Sequence, residues 1–153
     1  MAGVLVVIPA RYGSTRFPGK PLAALNGKPM IQHVVEGAAQ ARGVDEVVVA
    51  TDDERIVRAV AAFGGTSVMT NPACRSGTER AAEVARGREA SVIINVQGDE
   101  PAIHPSALAT LARAFTDSSV QLATLVRPLD SGERANPNVV KVVRDLNGRA
   151  LYF

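Results

Sequence analysis

The residues best suited to chemistry lie on a loop near the start of the chain, within residues 9–21. In order, the loop carries cations, glycines and hydroxyl side chains at Arg11, Gly13, Ser14, Thr15, Arg16, Gly19 and Lys20. Glycine lets backbone N–H groups approach a ligand closely, and successive N–H groups can form an anion-binding concavity. Arginine and lysine add positive charge and orient oxygen atoms. The loop therefore predicts a polyphosphate site, and the alternative is a solvated basic loop.

This loop differs from the two commonest phosphate-binding motifs. The pattern GxxxxGK[ST] fails because Pro21 follows Lys20, and GxGxxG fails because Gly13 and Gly19 are too far apart. The prediction depends instead on the charge of the loop and on its position. It follows an apolar run at residues 4–8 that is typical of a buried strand, and open parallel sheets bind ligands where their strands end.

A second polar turn, at residues 97–101, follows another apolar run. Mg²⁺ prefers one or two carboxylates together with phosphate oxygens and water, so a carboxylate here predicts a Mg²⁺ ligand. Asp99 is the candidate and Glu100 is the competing assignment, because spacing alone does not separate them. The structural alternative is an Asx-turn, in which the aspartate side chain bonds its own backbone.

The segment SGTER, Ser76 to Arg80, is a third candidate. Its hydroxyls and backbone N–H groups at a helix N-terminus could lie beside a nucleotide. A capping box, in which Ser76 and Glu79 satisfy the first N–H groups of a helix, explains these residues without any ligand. Arg75 and Arg80 could likewise be solvated helix charges.

Other common chemistries find little support in the sequence. Two histidines, His33 and His104, and one cysteine, Cys74, make a zinc site unfavourable. Cys74 has no histidine near it in sequence to activate a thiol nucleophile, and the G-x-S-x-G motif of serine hydrolases is absent. The remaining chemistry is phosphoryl or nucleotidyl transfer driven by positioning and charge.

The composition is that of a globular protein. The 153 residues are enough for one domain with a sizeable core, and we expect a single domain over residues 1–153. A formal net charge of +2 and an aromatic content of 4% argue against a nucleic-acid partner. No apolar run reaches the length of a membrane span or a signal peptide, so we expect no membrane partner and a cytoplasmic location.

The elements that must position these residues alternate along the chain. Strands are predicted at residues 4–8, 46–51, 66–70, 91–96 and 121–126. Helices are predicted at residues 29–41, from Asp52 or Asp53 to 63, at 76–88 and at 105–115. Residues 139–144 and 149–153 flank Asn147 and Gly148, a strong signal for a β-hairpin.

Such alternation predicts an α/β fold with three layers, in which a mainly parallel, Rossmann-like sheet has helices on both faces and the chain ends in a β-hairpin. The loops at the carboxyl ends of the strands should then lie on one edge of the sheet. That edge would gather the polar segments at residues 11–20, 51–53, 71–80 and 97–101.

Four strings in the chain resemble the cytidylyltransferases that activate 3-deoxy-manno-octulosonate (Kdo), the CMP-Kdo synthetase family. They are IPARYGSTRFPGKPL at residues 8–22, NGKPMIQHV at 26–34, SGTER at 76–80 and NVQGDEP at 95–101. NPNVVKVV at 136–143 and the final ALYF at 150–153 add to the similarity. The first string is shared more loosely with sialic acid cytidylyltransferases, whereas SGTER together with VQGDEP narrows the resemblance to the Kdo enzymes.

The resemblance implies the fold of nucleotide-diphospho-sugar transferases and a role for each matching residue. Lys20 and Arg11 would be catalytic, binding the CTP phosphates while Lys20 stabilises charge at the α-phosphate. Nucleotide contacts would come from Ala10, Gly13, Ser14, Arg16, Ser76, Gly77 and Arg80. Gln97 would contact the sugar acid and Asp99 would bind Mg²⁺. The implied reaction joins CTP and Kdo into CMP-Kdo and pyrophosphate, for lipopolysaccharide synthesis.

Members of this family continue beyond the ALYF strand into a region that supplies sugar-acid contacts, a second aspartate for Mg²⁺ and much of a homodimer interface. We therefore expect this chain to be the N-terminal part of the family's length, with the nucleotide half of the site present and the sugar half absent. Two alternatives are a CTP-binding fragment without turnover and a cytidylyltransferase for another keto-sugar acid, such as sialic acid.

Overall fold

The computed structural model describes residues 3–13 and 17–153. The chain divides into two compact units, Met1–Gln121 and Leu122–Phe153, and each is described by itself. In the first unit the strands are β1 (Gly3–Pro9), β2 (Ala24–Leu25), β3 (Lys28–Pro29), β4 (Glu46–Thr51), β5 (Ser67–Met69) and β6 (Ala90–Asn95). Its helices are α1 (Met30–Ala39), α2 (Glu54–Ala62), α3 (Gly77–Arg86) and α4 (Pro105–Ala114), with a short 3₁₀-helix at Lys20–Leu22.

A parallel sheet forms the centre of the first unit, with strand order β5-β4-β1-β6. β1 lies in the middle, where Val7 is paired with Val48 of β4 on one side and with Asn95 of β6 on the other. Each pairing is parallel, including that of β4 with β5. β2 and β3 form a separate antiparallel pair. The predicted parallel α/β sheet is confirmed.

Two apolar clusters cover the two faces of this sheet. One face, which includes Val6 and Ile8 of β1, packs against buried residues of α1, α2 and α4. The other face, which includes Leu5 and Val7, packs against Ala81 and Val84 of α3. Neighbouring residues of β1 therefore face opposite layers, as alternation along a strand requires. Helices on both faces give the predicted three layers.

Local sequence signals start the helices where they were expected. The side chains of Asp53, Ser76 and His104 accept hydrogen bonds from backbone N–H groups at the N-termini of α2, α3 and α4. Pro105 occupies the first turn of α4, where no N–H donor is needed. The four predicted helices are confirmed to within two residues at each end. None of the helices in the described ranges is long and apolar enough to cross a lipid bilayer.

The second unit contains a β-hairpin made of β7 (Val143–Arg144) and β8 (Ala150–Tyr152), and a 3₁₀-helix at Ser131–Glu133. The predicted hairpin is confirmed, although both of its strands are shorter than expected. Asp145 fixes the turn, because its backbone N–H donates to Arg149 O at 2.9 Å and its side chain accepts from the N–H groups of Asn147 and Arg149. Gly148 takes the left-handed conformation, with φ of 85°, that closes such a turn.

The predicted strand at residues 121–126 is wrong. The structure has no regular secondary structure there, and Leu122 is 91% exposed. A strand exists only where its backbone N–H and C=O groups pair with a neighbouring strand, and no described residue provides that pairing. The mainly apolar composition of this segment reports side-chain preference alone.

Candidate functional site

A cleft of about 400 Å³ opens at the carboxyl-terminal edge of the sheet. Its lining comprises Pro9, Ala10, Arg11, Gly13, Lys20, Pro21, Gly77, Gln97, Gly98 and Asp99. These residues follow β1, begin α3 and follow β6, so three segments that are far apart in sequence meet at one place. Among the described residues, the predicted site residues that do not line the cleft are Ser76 and Arg80.

An ion pair joins the loop after β1 to the polar turn after β6. The Nζ of Lys20 lies 2.7 Å from Oδ2 of Asp99, across 79 residues of sequence. Both side chains are partly open to solvent, at 36% and 50% exposure. A cation and a carboxylate in one cleft can bind different parts of a metal–phosphate ligand. The ammonium attracts phosphate oxygens and the carboxylate attracts a metal cation.

Gly98 allows the turn after β6 to lie against the end of β1. A Cβ atom at this position would lie 2.8 Å from the backbone oxygen of Pro9, which cannot move aside like a flexible side chain. The Gly98 N–H donates to the same oxygen at 3.2 Å. The absence of a side chain at Gly98 therefore sets how closely Asp99 approaches the loop that follows β1.

Arg11 connects the first loop to the segment that precedes α3. One Nη of its guanidinium donates to the backbone oxygen of Arg75 at 2.8 Å. At the next residue, Ser76 Oγ accepts the N–H of Glu79 at 3.1 Å, as a capping box requires. The Glu79 carboxylate accepts the N–H of Arg75 at 2.7 Å rather than that of Ser76. The cap therefore fixes the backbone that receives Arg11 and places Gly77 at the cleft wall.

Arg80 lies in the interior of the first unit, with 0% exposure. Its guanidinium donates to Oδ2 of Asp52 at 2.7 Å and to the hydroxyl of Thr70. Its Nε has no hydrogen-bond partner among the described residues. The structure therefore gives Arg80 protein partners at the ends of β4 and β5. Sequence reasoning expected Asp52 only as a possible helix cap, a role that Asp53 fills.

Gln97 lines the cleft beside the start of α3. Its Nε2 donates to Oδ1 of Asn95 at 3.0 Å, and a Cβ on Gly77 would lie 3.1 Å from its Oε1. The side chain is thus held by its own strand end and crowded by the helix. Of the remaining predicted contacts, Ser14 and Arg16 lie outside the described residues.

A contact that sequence reasoning missed lies on the outer side of the first loop. The guanidinium carbon of Arg55 is 3.3 Å from the centre of the Tyr12 ring. The carboxylate of Asp53 pairs with the same guanidinium. This hydrogen-bonded ion pair lowers the pKa of the Asp53 carboxyl to about 2. The only sequence signal was the expected cap at Asp52 or Asp53, which does not predict a partner across 43 residues.

The donor set for a metal is small. No group of three or more His, Cys, Asp or Glu side chains within residues 3–13 and 17–153 could hold a metal ion. Asp99 is one oxygen donor, half exposed in the cleft. This fits Mg²⁺, which commonly takes one or two carboxylates and fills its other positions with substrate phosphates and water.

A larger cavity of about 700 Å³ lies within the second unit. Its lining is mostly apolar, with three cations at Arg127, Lys141 and Arg144 and no carboxylate. The smaller cleft of the first unit is the better candidate site, because it combines cations, a carboxylate and glycine-rich backbone from separate segments.

Comparisons with known proteins identify the family of the chain. The family model described as cytidylyltransferase matches residues 5–153. The 3-deoxy-manno-octulosonate cytidylyltransferase of Myxococcus xanthus (strain DK1622) is 57% identical over 150 residues, which cover 97% of this chain and 61% of the relative. The Escherichia coli protein of the same name is 51% identical over 154 residues, covering 100% of this chain and 63% of the relative.

Solved structures extend the comparison to the fold. The structure of CMP:2-keto-3-deoxy-manno-octonic acid synthetase complexed with CTP matches with a TM-score of 0.96 at 50% identity, covering 99% of this chain and 63% of that chain. A 4-diphosphocytidyl-2C-methyl-D-erythritol synthase, at 20% identity and a TM-score of 0.61, shares the fold. The chain spans 61% to 63% of the length of the M. xanthus protein, the E. coli protein and the CTP-bound structure. This chain belongs to the cytidylyltransferase family.

Proposed function

We propose that the chain is the CTP-binding part of an enzyme that transfers CMP from CTP to Kdo and releases pyrophosphate. The observation that carries the proposal is the meeting of Lys20 and Asp99, 2.7 Å apart, in a cleft at the sheet edge. The names of the relatives and the CTP-bound structural match support the choice of base and sugar acid.

The chemistry requires charge stabilisation more than covalent help. The anomeric hydroxyl of Kdo would attack the α-phosphorus of CTP, forming a new P–O bond while the bond to the pyrophosphate oxygen breaks and the hydroxyl proton passes to water. Negative charge grows on the phosphate oxygens during this exchange. Lys20 and Arg11 line the cleft and supply positive charge where the phosphates would lie. No residue of this chain has to form a covalent intermediate.

Asp99 would hold Mg²⁺ in this arrangement. The ion would neutralise phosphate charge and help the pyrophosphate to leave. Lys20 would then exchange its contact with Asp99 for phosphate oxygens, so that both members of the pair keep a partner of opposite charge.

Fewer residues of this chain are proposed to bind the sugar acid than to bind CTP. Gln97 lines the cleft and is the residue proposed to contact it. The relatives extend well beyond the matched region, and we propose that sugar-acid contacts and an interface between two copies belong to that part. The second candidate function, CTP binding without turnover, is favoured because the cleft holds several residues suited to phosphates but only Gln97 is proposed for the sugar acid.

Calorimetry and a pyrophosphate assay on the 153-residue chain separate these functions. We expect CTP to bind in the presence of Mg²⁺, with UTP as the control for the base. Kdo is then added and pyrophosphate release is measured, with N-acetylneuraminate as the control for the sugar acid. Release with Kdo alone supports the proposed transfer, and binding without release supports the second candidate. Release only with N-acetylneuraminate, or no CTP binding by folded protein, would contradict the proposal.

A further inference from the structure

The contact between Arg55 and Tyr12 joins helix α2 to the phosphate-binding loop. The Arg55 guanidinium carbon lies 3.3 Å from the ring centre, well within the range of a cation–π contact. Two hydrogen bonds to Asp53 fix the guanidinium, Nε to Oδ1 at 2.9 Å and Nη2 to Oδ2 at 2.6 Å. Asp53 also caps α2 through the Arg55 N–H at 2.9 Å. The cation is therefore held in place from the helix side.

The Tyr12 ring is in turn packed against Gly19. A Cβ atom on Gly19 would lie 3.0 Å from Cε2 of the ring, so a larger residue would press against the ring. The Gly19 N–H donates to the backbone oxygen of Tyr12 at 2.8 Å, which ties together the two described ends of the loop. Gly19 has φ of 71°, a left-handed conformation that suits glycine.

Gly19 positions the start of the short helix that carries Lys20. It is the N-cap of the 3₁₀-helix Lys20–Leu22, and its backbone oxygen accepts the N–H of Leu22 at 2.8 Å. Lys20 is the first residue of that helix, and its Nζ reaches Asp99. A continuous set of contacts therefore runs from Asp53 through Arg55, Tyr12 and Gly19 to Lys20.

We propose that Arg55, oriented by Asp53, is a positioning residue that holds the Tyr12–Gly19 contact and thereby places Lys20 for the triphosphate. The inference rests on the proposed function, because Lys20 is the residue proposed to bind phosphate. Arg55 does not line the cleft and acts only through Tyr12. The competing view is that the stack is a surface contact with no effect on the loop.

Matched variants isolate the contact. Arg55→Met removes the guanidinium but keeps an unbranched side chain, and Tyr12→Leu removes the ring. Tyr12→Phe keeps the ring and loses only the hydroxyl. Arg86→Met is the control, because Arg86 is an exposed arginine of α3 and does not line the cavity that Tyr12, Gly19 and Arg55 share.

The first measurement is amide hydrogen exchange, which needs no ligand. We expect Arg55→Met and Tyr12→Leu to speed exchange of the Gly19 and Leu22 amides at least fivefold. Exchange of the Val49 amide, which donates to Thr66 O in the core, should stay unchanged. Tyr12→Phe and Arg86→Met should behave like the parent. Unchanged exchange at Gly19 and Leu22 in Arg55→Met would overturn the inference.

The second measurement is CTP affinity in the same variants. Arg55→Met and Tyr12→Leu should each weaken binding about five- to tenfold, and the double variant should be no weaker than the worse single variant. Effects that multiply in the double variant would show that the two residues act separately, which overturns the inference. If the parent itself binds no CTP, the proposed function fails, and the exchange data still decide whether Arg55 positions the loop.

Discussion

Two adjacent carboxylates follow β6, and only one of them belongs to the cleft. Asp99 lines it and pairs with Lys20 at 2.7 Å, whereas Glu100 is exposed and does not line it. The backbone N–H of Glu100 donates to the oxygen of Gln97 at 3.2 Å, which turns the chain between the two residues. The sequence left this choice open because Asp99 and Glu100 differ by only one residue in their spacing from the strand. The geometry favours Asp99.

Removing each carboxylate in turn tests this choice. Asp99→Asn should reduce the factor by which Mg²⁺ strengthens CTP binding, because a neutral amide oxygen is a weaker ligand for a hard cation. Glu100→Gln is the matched control and should keep the parent's factor. The measurement is the ratio of CTP dissociation constants with and without Mg²⁺, which cancels the loss of the Lys20 contact. Loss of the Mg²⁺ effect in Glu100→Gln alone would show that the wrong carboxylate had been chosen.

A buried arginine of helix α3 forms hydrogen bonds with residues at the ends of two strands of the sheet. Arg80 lies on α3, its partner Asp52 follows β4, and Thr70 follows β5. Thr70 Oγ1 also donates to Thr51 O at 3.0 Å, so the ends of the two strands are joined as well. α3 begins at Gly77 in the cleft wall. The resemblance implied that Arg80 contacts nucleotide, and in the structure its partners are Asp52 and Thr70, at the ends of β4 and β5.

Arg80→Met should cost roughly 2 to 3 kcal/mol of the free energy of unfolding, because it leaves Asp52 without its partner beside a buried cluster. Urea unfolding measures this cost. Arg86→Met, at an exposed position of the same helix, is the control and should change stability by less than about 0.5 kcal/mol. A variant with parent stability and weakened CTP binding would instead support direct contact of Arg80 with the nucleotide.

The elements themselves were predicted well where their signals are local. Hydrophobic periodicity, a capping residue and a proline or glycine at each boundary are properties of short segments, and they located the four helices and β1, β4, β5 and β6. The run at residues 121–126 failed because strand formation depends on a partner that a local pattern does not contain. The hairpin was predicted from Asn147 and Gly148, whereas the hydrogen bonds of the Asp145 side chain that fix its turn were not.

At the scale of the whole molecule, the topology of the sheet predicts which segments of the chain meet at the cleft. Once the sheet is parallel, the ends of β1 and β6 must share an edge, and this brings Lys20 and Asp99 together from 79 residues apart. The contacts that depend on side-chain direction were not predictable in this way. Arg55 contacts Tyr12 and Arg80 pairs with Asp52, and the sequence pattern around each arginine does not indicate its partner.

The second unit has a different surface character. Val140, Val143, Leu151, Tyr152 and Phe153 are each more than half exposed, at 56% to 79%. Monomeric proteins seldom expose so many large apolar side chains close together in sequence.

The residues proposed to bind CTP all lie in the first unit. The proposed CTP binding can therefore be tested by changing side chains of that unit alone.

The most direct test is CTP titration into two lysine variants by calorimetry, with Mg²⁺ present. Lys20 and Lys28 each form one ion pair with a carboxylate, at 2.7 Å with Asp99 and at 2.8 Å with Glu36, and both are partly exposed. Only Lys20 lines the cleft. We predict that Lys20→Ala weakens CTP binding at least tenfold, about 1.4 kcal/mol, because it removes a charged hydrogen bond to phosphate. Lys28→Ala should stay within twofold of the parent. Equal affinities in the two variants would contradict the phosphate-binding role of the cleft.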